Sequence, residues 1–259
     1  MPLVILNGAH FDTSLARELE SRTDLRLLRS PSSGVSNARL VGLRNVDSPL
    51  FAFLDDDDEL LPNATKVRNE AFSHSNADVV VTNGLRRLKN ESVRMFDHQR
   101  HTSDAARDLL TRNWMHSAAA TFRSSTVPLT FFENLADFFE ITHFMLRICQ
   151  HRQIARVDTP TFIVHQSAHE RVSLSRQYSE AAPTVLQQML DETERSDLRK
   201  LLALARTNAL HYCSDAALNA GDLRNAWIMH LRSLLGTGGA RYLPYSRHLL
   251  RASVSRRES

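Results

Sequence analysis

Four consecutive aspartates, Asp55 to Asp58, follow the apolar run Phe51–Leu54. Carboxylates this close repel one another, and burying one without a partner is costly, so a positive group is expected beside them. Strand geometry sends alternate side chains to the same side, so we expect Asp55 and Asp57 on one face and Asp56 and Asp58 on the other. Two hard oxygen ligands on one face suit Mg²⁺ or Mn²⁺, which takes its other ligands from water and substrate phosphates. The alternative is that these residues cap the following turn or helix, a role that suits Asp58.

The segments around this run alternate between strand-like and helix-like patterns. Short apolar runs at 2–8, 24–30 and 50–56 predict buried strands. Amphipathic segments at 12–22 and 34–46 predict the helices between them. Strands alternating with helices are typical of a parallel sheet, in which ligands bind beyond the carboxyl ends of the strands. The aspartates stand at such an end.

The middle of the chain continues this pattern and then gives way to helices. Segment 77–84 predicts a buried strand, 134–151 an amphipathic helix, and 153–166 the closing strands. Beyond them only helical patterns remain. We therefore expect an α/β domain over 1–175 and a helical region over 176–259.

Composition excludes several classes of protein. The chain has 259 residues and a formal net charge of +3, and its two cysteines, Cys149 and Cys213, form no CxxC pair, which fits a reducing compartment. No apolar run approaches the roughly 18 residues of a membrane span, and no DNA- or RNA-reading motif is present. We expect a cytoplasmic protein with no nucleic-acid partner. The basic C-terminal tail is a candidate for peripheral contact with an anionic membrane.

Residues 34–65, GVSNARLVGLRNVDSPLFAFLDDDDELLPNAT, resemble the signature of family 2 glycosyltransferases. In that family a G-x-S-x-A-R-N-x-G helix leads into flDxDDxxxP. Weaker similarity continues through 115–135, 138–148 and 158–175, so the resemblance covers about residues 3–175. It implies the GT-A fold, which is Rossmann-like with a mostly parallel sheet and flanking helices. Here the fold would lack its usual first strand and helix and would carry a C-terminal helical appendage.

The resemblance also implies an activity. Family members transfer a sugar from a nucleoside-diphosphate-sugar donor to a glycan or lipid-linked acceptor, and this chain would do so with inversion in bacterial surface polysaccharide synthesis. Asp55 and Asp57 match the DXD positions that hold Mn²⁺ or Mg²⁺ on the donor diphosphate, where the ion acts as a Lewis acid. Arg39 matches an arginine that lies near the nucleotide. Asn7 and Asp56 are the further donor-side candidates.

Two residues are candidates for the general base. The family usually supplies it as the aspartate of an "ED" pair at the start of the catalytic helix. In this chain that position falls on Glu140 or on Ile141, depending on the alignment. Glu140 is the first candidate and Asp137, one helical turn earlier, is the second. The alternative for both is a carboxylate on the helix surface, where Asp137 would favour a first turn.

Other polar residues are expected near the same cleft. His116, His143, His165 and His169 are candidates for contacts with phosphate, metal or acceptor. His143 follows Glu140 by three residues on one helix face, so the two could touch. Trp114 could stack on an acceptor sugar, although core packing explains it equally well.

The chain also departs from the family pattern. Asn7 and Gly8 stand where the family has two aspartates that help to hold base and ribose. The absent first strand would lie beside the strand that ends at Asp55, which predicts a gap in the sheet. Three explanations are open: a shortened start, a gap filled by the chain's own first strand, or a divergent protein. The alternative function is a catalytically inactive GT-A domain that acts as a binding or scaffold subunit.

Overall fold

The computed structural model describes residues 1–8, 13–30, 32–88, 91–97, 102–165 and 175–255. The chain forms two compact units, residues 1–167 and residues 168–259. We call them the α/β unit and the helical unit. No helix in the described ranges is both long and apolar enough to cross a bilayer.

The α/β unit contains both strands and helices. Its strands are β1 (Leu3–Asn7), β2 (Arg26–Ser30), β3 (Leu50–Ala52), β4 (Asp58–Leu60), β5 (Val79–Arg87), β6 (Ser92–Arg94), β7 (Ala120–Arg123) and β8 (Ile154–His165). Its helices are α1 (Thr13–Ser21), α2 (Val35–Leu43), α3 (Ala64–Ser73), α4 (Ala105–Arg112) and α5 (Glu140–His151).

The strands form two separate sheets. A six-stranded sheet has the order β3-β7-β5-β8-β4, with β6 paired to the outer part of β5, and a two-stranded sheet contains β1 and β2. Only β1–β2 and β5–β8 are parallel among the pairs in the described residues. The expected mixed α/β architecture is present. Among the described residues four of the six strand pairs are antiparallel, whereas the longest pair, β5–β8, is parallel. One reason for the antiparallel pairs is the short link from β5 to β6, because a parallel neighbour needs a longer crossover.

The predicted gap corresponds to the separation of these two sheets. β3, the strand before the aspartates, is the terminal strand of the six-stranded sheet. β1 pairs with β2 from Leu3 opposite Arg26 to Asn7 opposite Ser30. The chain's own first strand therefore does not fill the position beside β3. Helix α2 packs against β1 and β2, and Leu3 to Leu6 remain only half-buried although the run is purely apolar.

An aromatic cluster ties β3 to α5. Phe51 stacks on Phe122 of β7 with centroids 5.0 Å apart. Phe53 lies 5.8 Å from Phe132 and 6.1 Å from Phe144 of α5. Burying each such side chain contributes roughly 1.5–3 kcal/mol. The cluster therefore fixes the start of α5 relative to the aspartates, which begin two residues after Phe53.

The helical unit consists of α6 (Arg176–Glu192), α7 (Ser196–Asn219), α8 (Leu223–Leu234) and α9 (Ser246–Ser255). α7 packs against both α6 and α8. The carboxylate of Asp222 accepts the backbone N–H of Asn225 and so caps α8. Much of the expected basic tail is helical, because α9 occupies residues 246–255.

Candidate active site

The aspartate run forms a turn and not a continuous strand. β3 ends at Ala52, and the backbone N–H of Asp58 donates to the carbonyl of Asp55 at 3.1 Å. β4 then begins at Asp58, opposite Val164 of β8. Strand alternation therefore does not apply between Asp55 and Asp57, and Asp58 opens a strand where a helix cap was considered. Aspartate is a favoured turn residue because its side chain can bond to nearby backbone groups.

Arg39 supplies the positive group that the carboxylates require. Its Nη1 donates to Glu140 Oε1 at 2.6 Å, and its Nη2 donates to Asp55 Oδ1 at 3.3 Å. The Arg39 side chain is only 9% exposed, and its guanidinium lies 5.4 Å from the centroid of the Phe53 ring. One arginine on α2 thus connects the start of α5 to the aspartate turn.

Asp55 is held by a second donor. Its Oδ2 accepts a hydrogen bond from Ser117 Oγ at 2.5 Å, so both carboxylate oxygens have protein partners. Ser117 was missed by the sequence analysis, and its only signal was its place after His116. Asp56 and Asp57 are exposed. Asp57 is therefore open to a ligand from solvent.

Asp58 and His116 form a buried pair behind the turn. The Asp58 side chain is 1% exposed, and its Oδ2 lies 3.5 Å from His116 Nδ1. That oxygen has no hydrogen-bond partner among the described residues, because His116 Nδ1 already faces the Ala118 N–H at 3.4 Å. Burial, reinforced by the charges of the neighbouring aspartates, raises the pKa of Asp58 to about 7. Burial also lowers the pKa of His116.

The two candidate bases occupy different positions. Glu140 is the first residue of α5, and its side chain is 13% exposed. Asp137 is exposed and precedes the helix. A Cβ added at Gly34 would come within 2.6 Å of Asp137 Oδ1, so this carboxylate lies over the first turn of α2. The helix dipole of α2 favours a negative charge there.

Two of the other candidates belong to the core. Trp114 is fully buried, and its Nε1 donates to the Ala105 carbonyl at 3.1 Å. His143 is 1% exposed on the inner face of α5. Of the two readings considered for Trp114, the structure favours core packing.

The remaining candidates lie at strand ends. His165 ends β8, and its Nε2 is 3.3 Å from Glu59 Oε2 of β4. Asn7 is exposed at the carboxyl end of β1, in the two-stranded sheet. His169 lies outside the described residues. The structure thus brings Arg39, Asp55 and Glu140 into one hydrogen-bonded network.

The side chains at the aspartate turn meet part of what a divalent cation needs. Within the described ranges, no three His, Cys, Asp or Glu side chains converge as a complete metal site. Mg²⁺ and Mn²⁺ commonly use only one or two carboxylates and take other ligands from phosphates and water. The exposed Asp57 and the unpartnered oxygen of Asp58 fit that partial role.

Solved structures share this fold. The structure of S. aureus TarS 1–349 in complex with UDP-GlcNAc is 12% identical, with a TM-score of 0.58 over 90% of this chain and 81% of that one. S. aureus TarS 1–349 in complex with UDP is 11% identical, with a TM-score of 0.53 over 90% and 80%. Because the identities are low, these matches establish the fold alone. They confirm the expected GT-A fold. No curated protein shows significant sequence similarity to the chain.

The sequence model of glycosyl transferase family 2 matches residues 12–146. This segment is more than half of the 259-residue chain. It contains Arg39, the aspartate turn and Glu140, the residues that the structure joins through hydrogen bonds. The protein therefore belongs to glycosyl transferase family 2.

Proposed function

We propose that the protein transfers a sugar, with inversion, from a nucleoside-diphosphate-sugar donor to a glycan or lipid-linked acceptor in bacterial surface polysaccharide synthesis. The observation that carries this proposal is the Glu140–Arg39–Asp55 network. It brings a candidate base and a candidate donor-binding carboxylate together from distant segments. Family membership supports glycosyl transfer in general, and the UDP-GlcNAc and UDP complexes of TarS favour a nucleotide-sugar donor.

The donor diphosphate would be bound at the aspartate turn. Asp57, with Asp55 and Asp58 beside it, would hold Mn²⁺ or Mg²⁺ against the two phosphates. A bound divalent ion supplies Lewis-acid neutralisation of the leaving diphosphate. Arg39 and Ser117 keep the Asp55 carboxylate in a fixed orientation, so the turn needs little reorganisation when the donor binds.

Glu140 is our choice of general base. Its Oε1 accepts the bond from Arg39, and its Oε2 has no partner in the described part of the chain. In the proposed step, Oε2 takes the proton of the acceptor hydroxyl, and the freed oxygen attacks the anomeric carbon. The bond from that carbon to the diphosphate oxygen breaks, and the electron pair leaves with the nucleoside diphosphate. Attack from the opposite face inverts the anomeric centre.

An inactive GT-A domain that acts as a binding or scaffold subunit is the second candidate. The observation that favours it is the separation of β1–β2 from the six-stranded sheet. This leaves Asn7, the candidate contact to the nucleobase and ribose of the donor, in a different sheet from the aspartate turn. Such a protein would keep its fold and its partner without binding a nucleotide.

Thermal melting separates the two candidates. The full chain would be melted with UDP, GDP, dTDP or CDP, each with and without Mn²⁺. A ligand present at about 100 times its Kd adds roughly 2.7 kcal/mol, a clear shift in melting temperature. We expect one nucleotide to give a metal-dependent shift that Asp57→Asn abolishes. Asp47→Asn is the matched control, because the Asp47 side chain is 90% exposed. Cooperative melting with no shift for any nucleotide would favour the scaffold.

We further propose that the C-terminal segment contacts the cytoplasmic face of an anionic membrane. Residues 223–255 contain five arginines and no lysine, aspartate or glutamate. On α9, Leu250 and Val254 are exposed within a turn of Arg247 and Arg251. Exposed apolar and basic side chains on one helix suit anionic lipid. The chain should sediment with phosphatidylglycerol vesicles but not with pure phosphatidylcholine. Equal binding to both would contradict the proposal.

A further inference from the structure

The helical unit contains a large cavity, remote in sequence from the aspartate turn. Its volume is about 1080 Å³, and its walls come from α6, α7 and α8. α7 lies between the other two helices, and its small side chains Cys213, Ala216 and Ala217 leave the space open. Pockets for small molecules typically measure about 300–1,000 Å³. This cavity is therefore large enough for a whole small ligand or a segment of a polymer.

The carboxylates that line the cavity already have donors. Glu180 is paired with Arg176 at 2.7 Å. Asp191 and Glu192 accept from the amides of glutamines one turn earlier on α6, at 2.7 and 3.2 Å. Asp222 accepts the backbone N–H that caps α8. Each of these carboxylates therefore has at least one donor, and Glu180 is paired with a cation.

Two arginines of the cavity wall have no such partner among the described residues. Arg206 of α7 lines the cavity, and its Nε is enclosed without a hydrogen-bond partner in the described ranges. The residues three and four positions away on α7 are all apolar, Leu202, Ala203, Ala209 and Leu210, so its own helix offers no acceptor. Arg232, in the last turn of α8, also lines the cavity and has no hydrogen bond or ion pair in the part of the chain that is described.

Two guanidinium groups without a protein partner in the described ranges line one cavity, so an anion bound there would gain charge-assisted hydrogen bonds. A guanidinium presents its N–H groups in a planar fork that matches carboxylate and phosphate oxygens. We propose that this cavity is a binding site for a ligand that carries an oxyanion, a carboxylate or a phosphate, with Arg206 as the principal contact and Arg232 as the second. All of its lining residues belong to the helical unit, and none of them has a part in the proposed sugar transfer.

Methyl NMR of the full chain labelled at methionine methyl groups tests the site locally. Met229 lines the cavity, whereas Met145 is buried in α5 of the α/β unit and serves as an internal reference. The chain would be titrated separately with inorganic phosphate, citrate and glucose. We expect a saturable shift of the Met229 signal with one or both anions, none with glucose, and no change at Met145. Comparison of phosphate with citrate identifies which oxyanion the site prefers.

Two charge-matched variants then assign the contact. Arg206→Gln should weaken binding of the preferred anion about 10- to 100-fold, because hydrogen bonds to charged groups are strong. Arg224→Gln removes the same charge from an exposed position of α8 outside the cavity and should leave the affinity unchanged. Arg206→Gln should also keep the melting temperature of the free chain, since Arg206 has no hydrogen bond or ion pair to lose among the described residues. The proposal is overturned by the absence of a saturable shift, by equal weakening in both variants, or by a large loss of stability in Arg206→Gln.

Discussion

The pair formed by Arg39 and Glu140 should contribute much more to folding stability than the pair formed by Arg39 and Asp55. The first has a 2.6 Å separation and side chains that are 9% and 13% exposed. In the second, the separation is 3.3 Å and the Asp55 side chain is 38% exposed. Removing one partner of a buried pair typically costs about 3–5 kcal/mol, whereas pairs near solvent contribute about 0.2–1 kcal/mol. We therefore expect Arg39→Met to destabilise the α/β unit by about 3 kcal/mol.

Double-mutant cycles measure each pair separately. Urea unfolding would be followed by the fluorescence of Trp114, in chains where Trp227→Phe removes the signal of the helical unit. The coupling between Arg39→Met and Glu140→Gln should be about 2–3 kcal/mol, and that between Arg39→Met and Asp55→Asn below about 1 kcal/mol. The chain with both Arg39→Met and Glu140→Gln should be more stable than Arg39→Met alone, because no buried carboxylate is then left without a partner.

The opposite order of coupling energies would refute this reasoning. So would a double variant no more stable than Arg39→Met, since the cost would then not come from a stranded charge. Arg22→Met is a matched control, because Arg22 pairs with Asp24 at the surface, where both side chains are more than half exposed. It should leave the stability essentially unchanged.

Three further predictions concern single residues. In the presence of a chelator, Asp58→Asn should stabilise the chain at pH 8 by about 3 kcal/mol more than at pH 5, measured by urea unfolding. Because the pKa of Asp58 is raised to about 7, its ionised form lowers the folding stability as pH rises through that value. Parallel profiles of stability against pH for Asp58→Asn and the unsubstituted chain would contradict this. Burial lowers the pKa of His211 and of His230, although Asp215 opposes the shift at His211. Stability of the helical unit, followed by Trp227 fluorescence, should therefore be complete above about pH 6.5 and fall below it. His230→Asn should make the loss of stability below that pH less steep. An unchanged slope of stability against pH would contradict the role of His230. Gly34→Ala should destabilise the chain by about 1–3 kcal/mol in urea, because Gly34 has φ 115° and faces Asp137. Gly42→Ala is the control, because Gly42 lies within α2 and a Cβ added there would be 3.6 Å from the Ile5 side chain. Equal destabilisation by the two substitutions would refute the explanation.

Local patterns allowed much of this protein to be predicted from its sequence. The strand and helix assignments over residues 2–46 match β1, α1, β2 and α2, because hydrophobic periodicity and turn residues act over short distances. The family was recognisable because its signature is one contiguous stretch, residues 34–65. These features depend on neighbouring residues in the chain and need no knowledge of long-range contacts.

Contacts between distant segments were decided by the tertiary structure. Arg39 and Glu140 are 101 residues apart, and Asp55 and Ser117 are 62 apart. No local pattern indicates these partners, because packing of the aromatic cluster between β3, β7 and α5 brings them together. The fold also turns the chain within the aspartate run and buries Asp58, whose Oδ2 has no hydrogen-bond partner among the described residues. The sequence alone determined which carboxylates and arginine are available for chemistry. Only the fold decided which of them are paired, which are buried and which remain open to a ligand, since those properties depend on what surrounds each side chain.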